Sequence, residues 1–148
     1  MLRINRQTDY AVRVILALAK HGAGARLSTK TIQQEMLIPP ALMMRIVAQL
    51  AKTGLLNTFP GRDGGLMLSR PAVQITLKDI VEAFEGPILL SQCMQARGET
   101  DCPFQSNCPV RTKWGRIQVA MLREMAAITF EDLAQEALTV PMMISNLA

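Results

Sequence analysis

Apolar positions recur at helical spacing over 7–21, where Tyr10, Val14, Ala17 and Leu18 share one side, and Gly22 and Gly24 stop the run. Ser28 predicts an N-cap for a short second helix through about Met36, with Ile32 and Leu37 facing inward. Pro39 and Pro40 then punctuate the chain, and proline is well tolerated in a first helical turn. From Ala41 to Thr53 the residues Leu42, Met43, Ile46, Val47 and Leu50 form one stripe. Met44, Arg45, Gln49 and Lys52 take the opposite side, and Gly54 terminates the helix. Two short helices around a tight break, the second with an exposed basic and amide face, have the layout of a helix-turn-helix.

The pattern then changes period. Leu55–Phe59 predicts a short strand, PGRDGG (60–65) a glycine-rich turn, and Leu66–Ser69 a returning strand. A hairpin directly after such a helix pair is a wing, with Arg62 near its tip. Beyond Pro71, Thr76-x-x-Asp79 predicts a capping box opening a helix that ends before Gly86. Residues 87–108 read as a loop, long enough to be functional in a compact domain. Pro109 predicts the start of a helix to about Ala127, with Trp114, Ile117, Met121 and Met125 on one face. Thr129-x-x-Asp132 caps a final short helix, and 140–148 reads as a tail. The expected fold is mainly α with a small β-hairpin. A winged helix-turn-helix domain spans 1–75; a loop and a long C-terminal dimerisation helix occupy 76–148.

Charge gives the first half a partner. The net +4 is uneven: residues 1–70 hold ten Lys and Arg against three Asp and Glu, whereas residues 71–148 hold six against nine. Cationic charge gathered in one segment is the footprint of a polyanion binder, here double-stranded DNA. The long 109–127 helix has more apolar surface than a small winged domain covers, which predicts a homodimer and with it a palindromic operator. No apolar run approaches the roughly 20 residues of a membrane span. The first residues lack the layout of a signal peptide, so a cytoplasmic protein is expected. No nucleophile–base pair appears, and GRDGG lacks the Lys-Ser/Thr of a phosphate-binding loop, so an enzyme is not expected.

All three cysteines fall in one stretch, Cys93-x8-Cys102-x5-Cys108. An odd number cannot close into internal disulfides without leaving one thiol over. Three thiolates on a loop suit a soft metal or an iron–sulfur cluster, or form a thiol redox switch. A tetrahedral zinc site would want a fourth ligand, and neither a fourth Cys nor a nearby His is present.

The chain resembles the Rrf2 family of bacterial winged-helix regulators. The matching residues are TDYAVR (8–13), LAKTGL (50–55), GRDGG (61–65), the three cysteines, Arg111, Trp114 and TFEDL (129–133). The resemblance implies that Cys93, Cys102 and Cys108 hold an iron–sulfur cluster, 2Fe-2S or 4Fe-4S. Cluster-homeostasis members supply a histidine three residues after the last cysteine, where this chain has Arg111, which cannot ligate. Nitric-oxide-sensing members use an acidic residue on the first helix, contributed by the partner subunit. The matching position is Asp9, so the ligand pattern lies closer to theirs.

The reader departs from the family pattern as well: Pro39 and Leu42 stand where Ser and Tyr are frequent, and Pro60 where the wing often carries Arg. Phosphate contacts are expected from Arg45, Lys52 and Arg62, and base reading, of adenine, from Gln49. The expected function is a DNA-binding transcriptional regulator, a repressor, whose operator affinity depends on a cluster sensing nitric oxide, redox or iron status. The alternative is the same regulator with the cysteines as a thiol switch or a non-cluster metal site.

Overall fold

The computed structural model describes residues 3–94, 102–104 and 106–139. The tail at 140–148 and the middle of the cysteine loop lie outside them. In chain order the elements are α1 (Arg6–Lys20), α2 (Thr29–Glu35), α3 (Pro40–Lys52), β1 (Leu56–Phe59), β2 (Gly65–Leu68), α4 (Leu77–Glu85), α5 (Pro109–Ala127) and α6 (Phe130–Thr139). Single 3-10 turns lie at Ala72–Gln74 and Gln92–Met94.

The expected stripes build the core. On α1, Val14, Ala17 and Leu18 are buried together with Ala11 and Ile15, and Tyr10 packs at the edge. The Asn5 side chain caps this helix, accepting from the Thr8 amide at 2.9 Å. Ser28 caps α2, its Oγ accepting from the Thr31 amide at 3.0 Å. Pro40 sits in the first turn of α3, whose Met43, Ile46, Val47 and Leu50 are buried; Leu42 is half-buried.

Leu37 departs from expectation. It is 81% exposed rather than inward, because the turn between α2 and α3 takes a left-handed backbone there, with φ of +52°. The Ile38 amide donates to the Gln33 carbonyl at 3.0 Å and closes this turn, so Ile38 fills the inward position. A left-handed conformation crowds Cβ against the next carbonyl at any residue but glycine.

The wing forms with β1 antiparallel to β2, pairing Leu56 with Leu68 and Phe59 with Gly65. Leu27 adds a bridge on the far side of β2, exchanging both backbone hydrogen bonds with Leu66 at 2.8 and 3.0 Å. Two glycines in the turn have steric reasons. A Cβ on Gly64 would lie 2.1 Å from the Phe59 carbonyl oxygen, and one on Gly65 would lie 2.6 Å from that of Leu27. The Arg26 guanidinium lies 3.8 Å from the centroid of the Phe59 ring and braces the hairpin.

The capping box at Thr76 and Asp79 opens α4 as expected. After the cysteine loop and α5, the chain returns to the core. Residues 75–77 pair with 128–130: the Leu77 amide donates to the Ile128 carbonyl and the Phe130 amide to the Ile75 carbonyl, each at 2.9 Å. This staple sinks Phe130 completely and lays α6 on α1. Burying a Phe of this kind contributes roughly 1.5–3 kcal/mol. The core therefore draws Ile80, Phe130 and Ala134 from the second half of the chain as well as the first. In contrast, α5 buries none of its residues.

Candidate nucleic-acid interface and cysteine segment

Helix α3 exposes Ala41, Met44, Arg45, Ala48 and Lys52 along one edge, and this edge has two unlike flanks. Toward the wing, Met44, Val47, Ala48 and Ala51 face Thr58–Arg62 and the start of α2 across a cleft of 610 Å³. On the other side, Arg45, Gln49 and Lys52 border a 420 Å³ hollow with Gln7 of α1 and Phe84 of α4. Arg62 stands exposed in the turn of the hairpin. The structure thus brings Arg45 and Lys52 to one flank of the reading helix and sets Arg62 across the cleft from it.

Gln49 differs from what its position on the helix leads one to expect. It is half-buried, and its Nε2 donates to the Ala83 carbonyl at 2.8 Å. Bidentate recognition of adenine needs both ends of the amide free, and here the donor end is committed to the last turn of α4. Nothing in the local pattern of α3 reveals this, since the partner lies 34 residues away.

That same turn of α4 holds a second clamp. Glu85 Oε1 accepts from the Asn5 amide at 3.0 Å and from the Thr8 hydroxyl at 2.5 Å, which satisfies the fully buried Thr8. The Thr8 hydroxyl, and after it the Asn5 amide, hold the Glu85 carboxyl below the usual carboxylate range. Sequence reasoning missed both Thr8 and Glu85. The available signal was the helical spacing that sets Thr8 in line with Ala11, Ile15 and Leu18 on α1.

Asp9 lies in the first turn of α1, with its side chain 52% exposed and its carboxylate 2.8 Å from Arg13. His21 caps the other end of α1, its Nε2 3.0 Å from Glu35, which also pairs with Lys20 at 2.9 Å. Partial burial raises the Glu35 pKa, but the hydrogen bonds and charge of Lys20 and His21 outweigh it and leave it lowered. His21 is thereby engaged in a structural cluster.

All three cysteines are free thiols. Cys93 is half-buried, 3.2 Å from the Ser91 hydroxyl; Cys102 is exposed; Cys108 is the half-buried residue that precedes α5. Arg111 sits in the first turn of that helix. Within one chain, no three His, Cys, Asp or Glu among the described residues converge on a common point. On α5 itself, Val110, Trp114, Ile117 and Val119 are exposed. Met121 and Met125 turn instead toward Val81, Pro87 and Leu89, so the expected single stripe divides along its length.

A helix pair, a braced wing and a basic flank on the second helix define a winged helix-turn-helix DNA-binding regulator. The Rrf2 family model, described as an iron-dependent transcriptional regulator, matches residues 4–136, and the chain belongs to this family. It is a DNA-binding transcriptional regulator and not an enzyme. The chain is 32% identical over 135 residues to protein aau3 of Rhizobium meliloti strain 1021, covering 90% of this chain and 86% of that protein. It is 28% identical over 135 residues to the transcriptional regulator NsrR of Geobacillus kaustophilus, covering 91% of each. The solved structure of CymR, the global cysteine regulator of B. subtilis, superposes with a TM-score of 0.73 at 28% identity, covering 92% of this chain and 98% of that one. No described helix is long and apolar enough to cross a membrane.

Proposed function

We propose that this regulator carries an iron–sulfur cluster on Cys93, Cys102 and Cys108, and that the state of this segment sets its affinity for a palindromic operator bound as a homodimer. The observation that carries the proposal is the placement of every thiol, each unpaired, on one segment between the reading domain and α5. Three thiolates form a donor set suited to iron and sulfide, and the family's iron dependence and the similarity to NsrR support the same choice. The fourth ligand is the partner subunit's Asp9. That reading fits a carboxylate that is exposed on α1, and a single chain that gathers no complete site among its described residues. When bound, such a group supplies reactivity toward nitric oxide and oxygen and a dependence on iron supply.

The chain's own residues supply the coupling. Cys93 lies shortly after α4, and the last turn of α4 holds both the Gln49 amide of α3 and the Asn5–Thr8 turn of α1. A displaced cysteine segment therefore pulls on the reading helix and on the start of α1 together. Dimerisation falls to the exposed apolar residues of α5, Val110, Trp114 and Ile117, which one chain leaves uncovered. Arg45, Lys52 and Arg62 make the phosphate contacts that hold each subunit in register.

A thiol switch is the second reading, favoured by the likeness to a global cysteine regulator and by the exposure of Cys102. Purification without oxygen separates the two. The cluster predicts a brown protein with iron and sulfide and a visible absorption band, lost in a variant with all three cysteines changed to serine. A colourless, iron-free and fully folded anaerobic protein would overturn the cluster, and metal analysis of the same sample would then separate a thiol switch from a non-cluster metal site.

A further inference from the structure

Most of the polar side chains on the edge of α3 are committed to the flank away from the wing, and on α3 itself the flank toward the wing has no hydrogen-bonding side chain. Met44 is 70% exposed there, Ala48 is exposed one turn further on, and both line the cleft that the wing closes from the opposite side. Gln49, the amide on this helix, is held by Ala83. A long apolar side chain left in water on the helix of a DNA reader calls for a partner of its own kind. Only one group on the base edges of the major groove is apolar, the C5 methyl of thymine.

We propose that Met44, supported by Ala48, reads thymine methyl groups in each operator half-site. Sequence discrimination on the wing side of α3 then comes from apolar contact rather than from an amide pairing with adenine. Met44 suits this role physically: it is unbranched, and its thioether adapts to the position of a methyl group without demanding a donor or acceptor. Arg45, one position along, borders the hollow on the opposite flank, so the cleft side of α3 carries no charge of its own. The inference rests on the DNA-reading role of α3 and is independent of the cluster.

The test is a methyl-deletion scan. An operator is first selected from random duplexes with the anaerobically purified protein, and each thymine is then replaced in turn by deoxyuridine, which keeps every hydrogen-bonding group. Fluorescence anisotropy at one fixed salt concentration reads the affinity. With the wild type, one or two thymines per half-site should each cost about fourfold on loss of the methyl, the worth of one buried carbon. With Met44→Ala, the same replacements should cost less than about half of that, and Met44→Gln should behave likewise if its fold is intact by circular dichroism. Affinity for random duplex is measured for each variant and serves as the reference for its uracil scan. A flat uracil scan with the wild type, or an undiminished penalty in Met44→Ala, would overturn the proposal. Failure to enrich any sequence, with no salt-dependent binding to random duplex, would overturn it together with the DNA-reading role itself.

Discussion

The two helices that flank the cysteine segment are built on opposite plans. Helix α4 and the elements before it, joined by α6, share one buried core: Ile15, Leu18, Ile46, Leu50, Ile80 and Phe130 are all shielded from water. Helix α5 is longer than any of them and buries nothing, although Val110, Trp114, Ile117 and Val119 are as apolar as the core residues of α3. The first plan makes a reading head that is complete in one chain. The second leaves an apolar surface uncovered within one chain, next to the segment that carries the cysteines, and it is the surface proposed above for dimerisation. The difference separates what stabilises the fold from what is proposed to assemble and regulate it.

The largest effect expected from this contrast is on stability. Phe130→Ala should lower the free energy of unfolding by about 3–5 kcal/mol, measured by urea denaturation. Trp114→Ala should change it by no more than about 0.5 kcal/mol in dilute protein, while shifting the dimer toward monomer in sedimentation experiments. Comparable losses for both variants, with the oligomeric state unaltered, would erase the distinction between the two plans.

The next effect tests the turn between α2 and α3. Leu37→Gly removes a left-handed non-glycine residue whose side chain packs against nothing inward, and should stabilise the protein by up to about 1 kcal/mol after the added freedom of the unfolded chain is counted. A loss of stability would mean that the exposed leucine has a packing role.

The smallest effect is acid sensitivity at the α4 clamp. Glu85 has a folded pKa below its ordinary value of 4.5, so its contribution is fully present above that value and disappears as the pH falls through the lower, folded one. The stability difference between the wild type and Glu85→Gln should therefore be constant from neutrality to about pH 5 and shrink below it. A difference that grew on acidification would reverse the assigned sign.

Much of the reading head was legible because its signals are local. The stripe on α3, the cap at Ser28, the box at Thr76 and Asp79 and the glycine-rich hairpin turn each arise from residues within one or two turns of one another. The misjudged positions depended on partners distant in sequence or on backbone geometry. Leu37 has the right spacing for burial, yet the left-handed turn hands that place to Ile38. Gln49 points as helix geometry requires, but its amide finds Ala83. Phe130 read as the start of a short capped helix, and only the pairing of 75–77 with 128–130 makes it central to the core. For the cysteines, the sequence placed three thiols on one segment, and the structure describes them as free thiols that do not converge within one chain among the described residues; the proposed completion of their site by a second subunit is a matter of assembly, which local sequence signals do not carry.

The most direct measurement of the central claim is operator binding by the anaerobic protein, before and after exposure to nitric oxide, oxygen or an iron chelator, with iron and sulfide counted in the same samples. The account predicts that loss of iron and sulfide changes operator affinity by roughly 5- to 150-fold, and that the variant with Cys93, Cys102 and Cys108 all changed to serine shows no response. An affinity that stays the same while iron and sulfide are lost would contradict it.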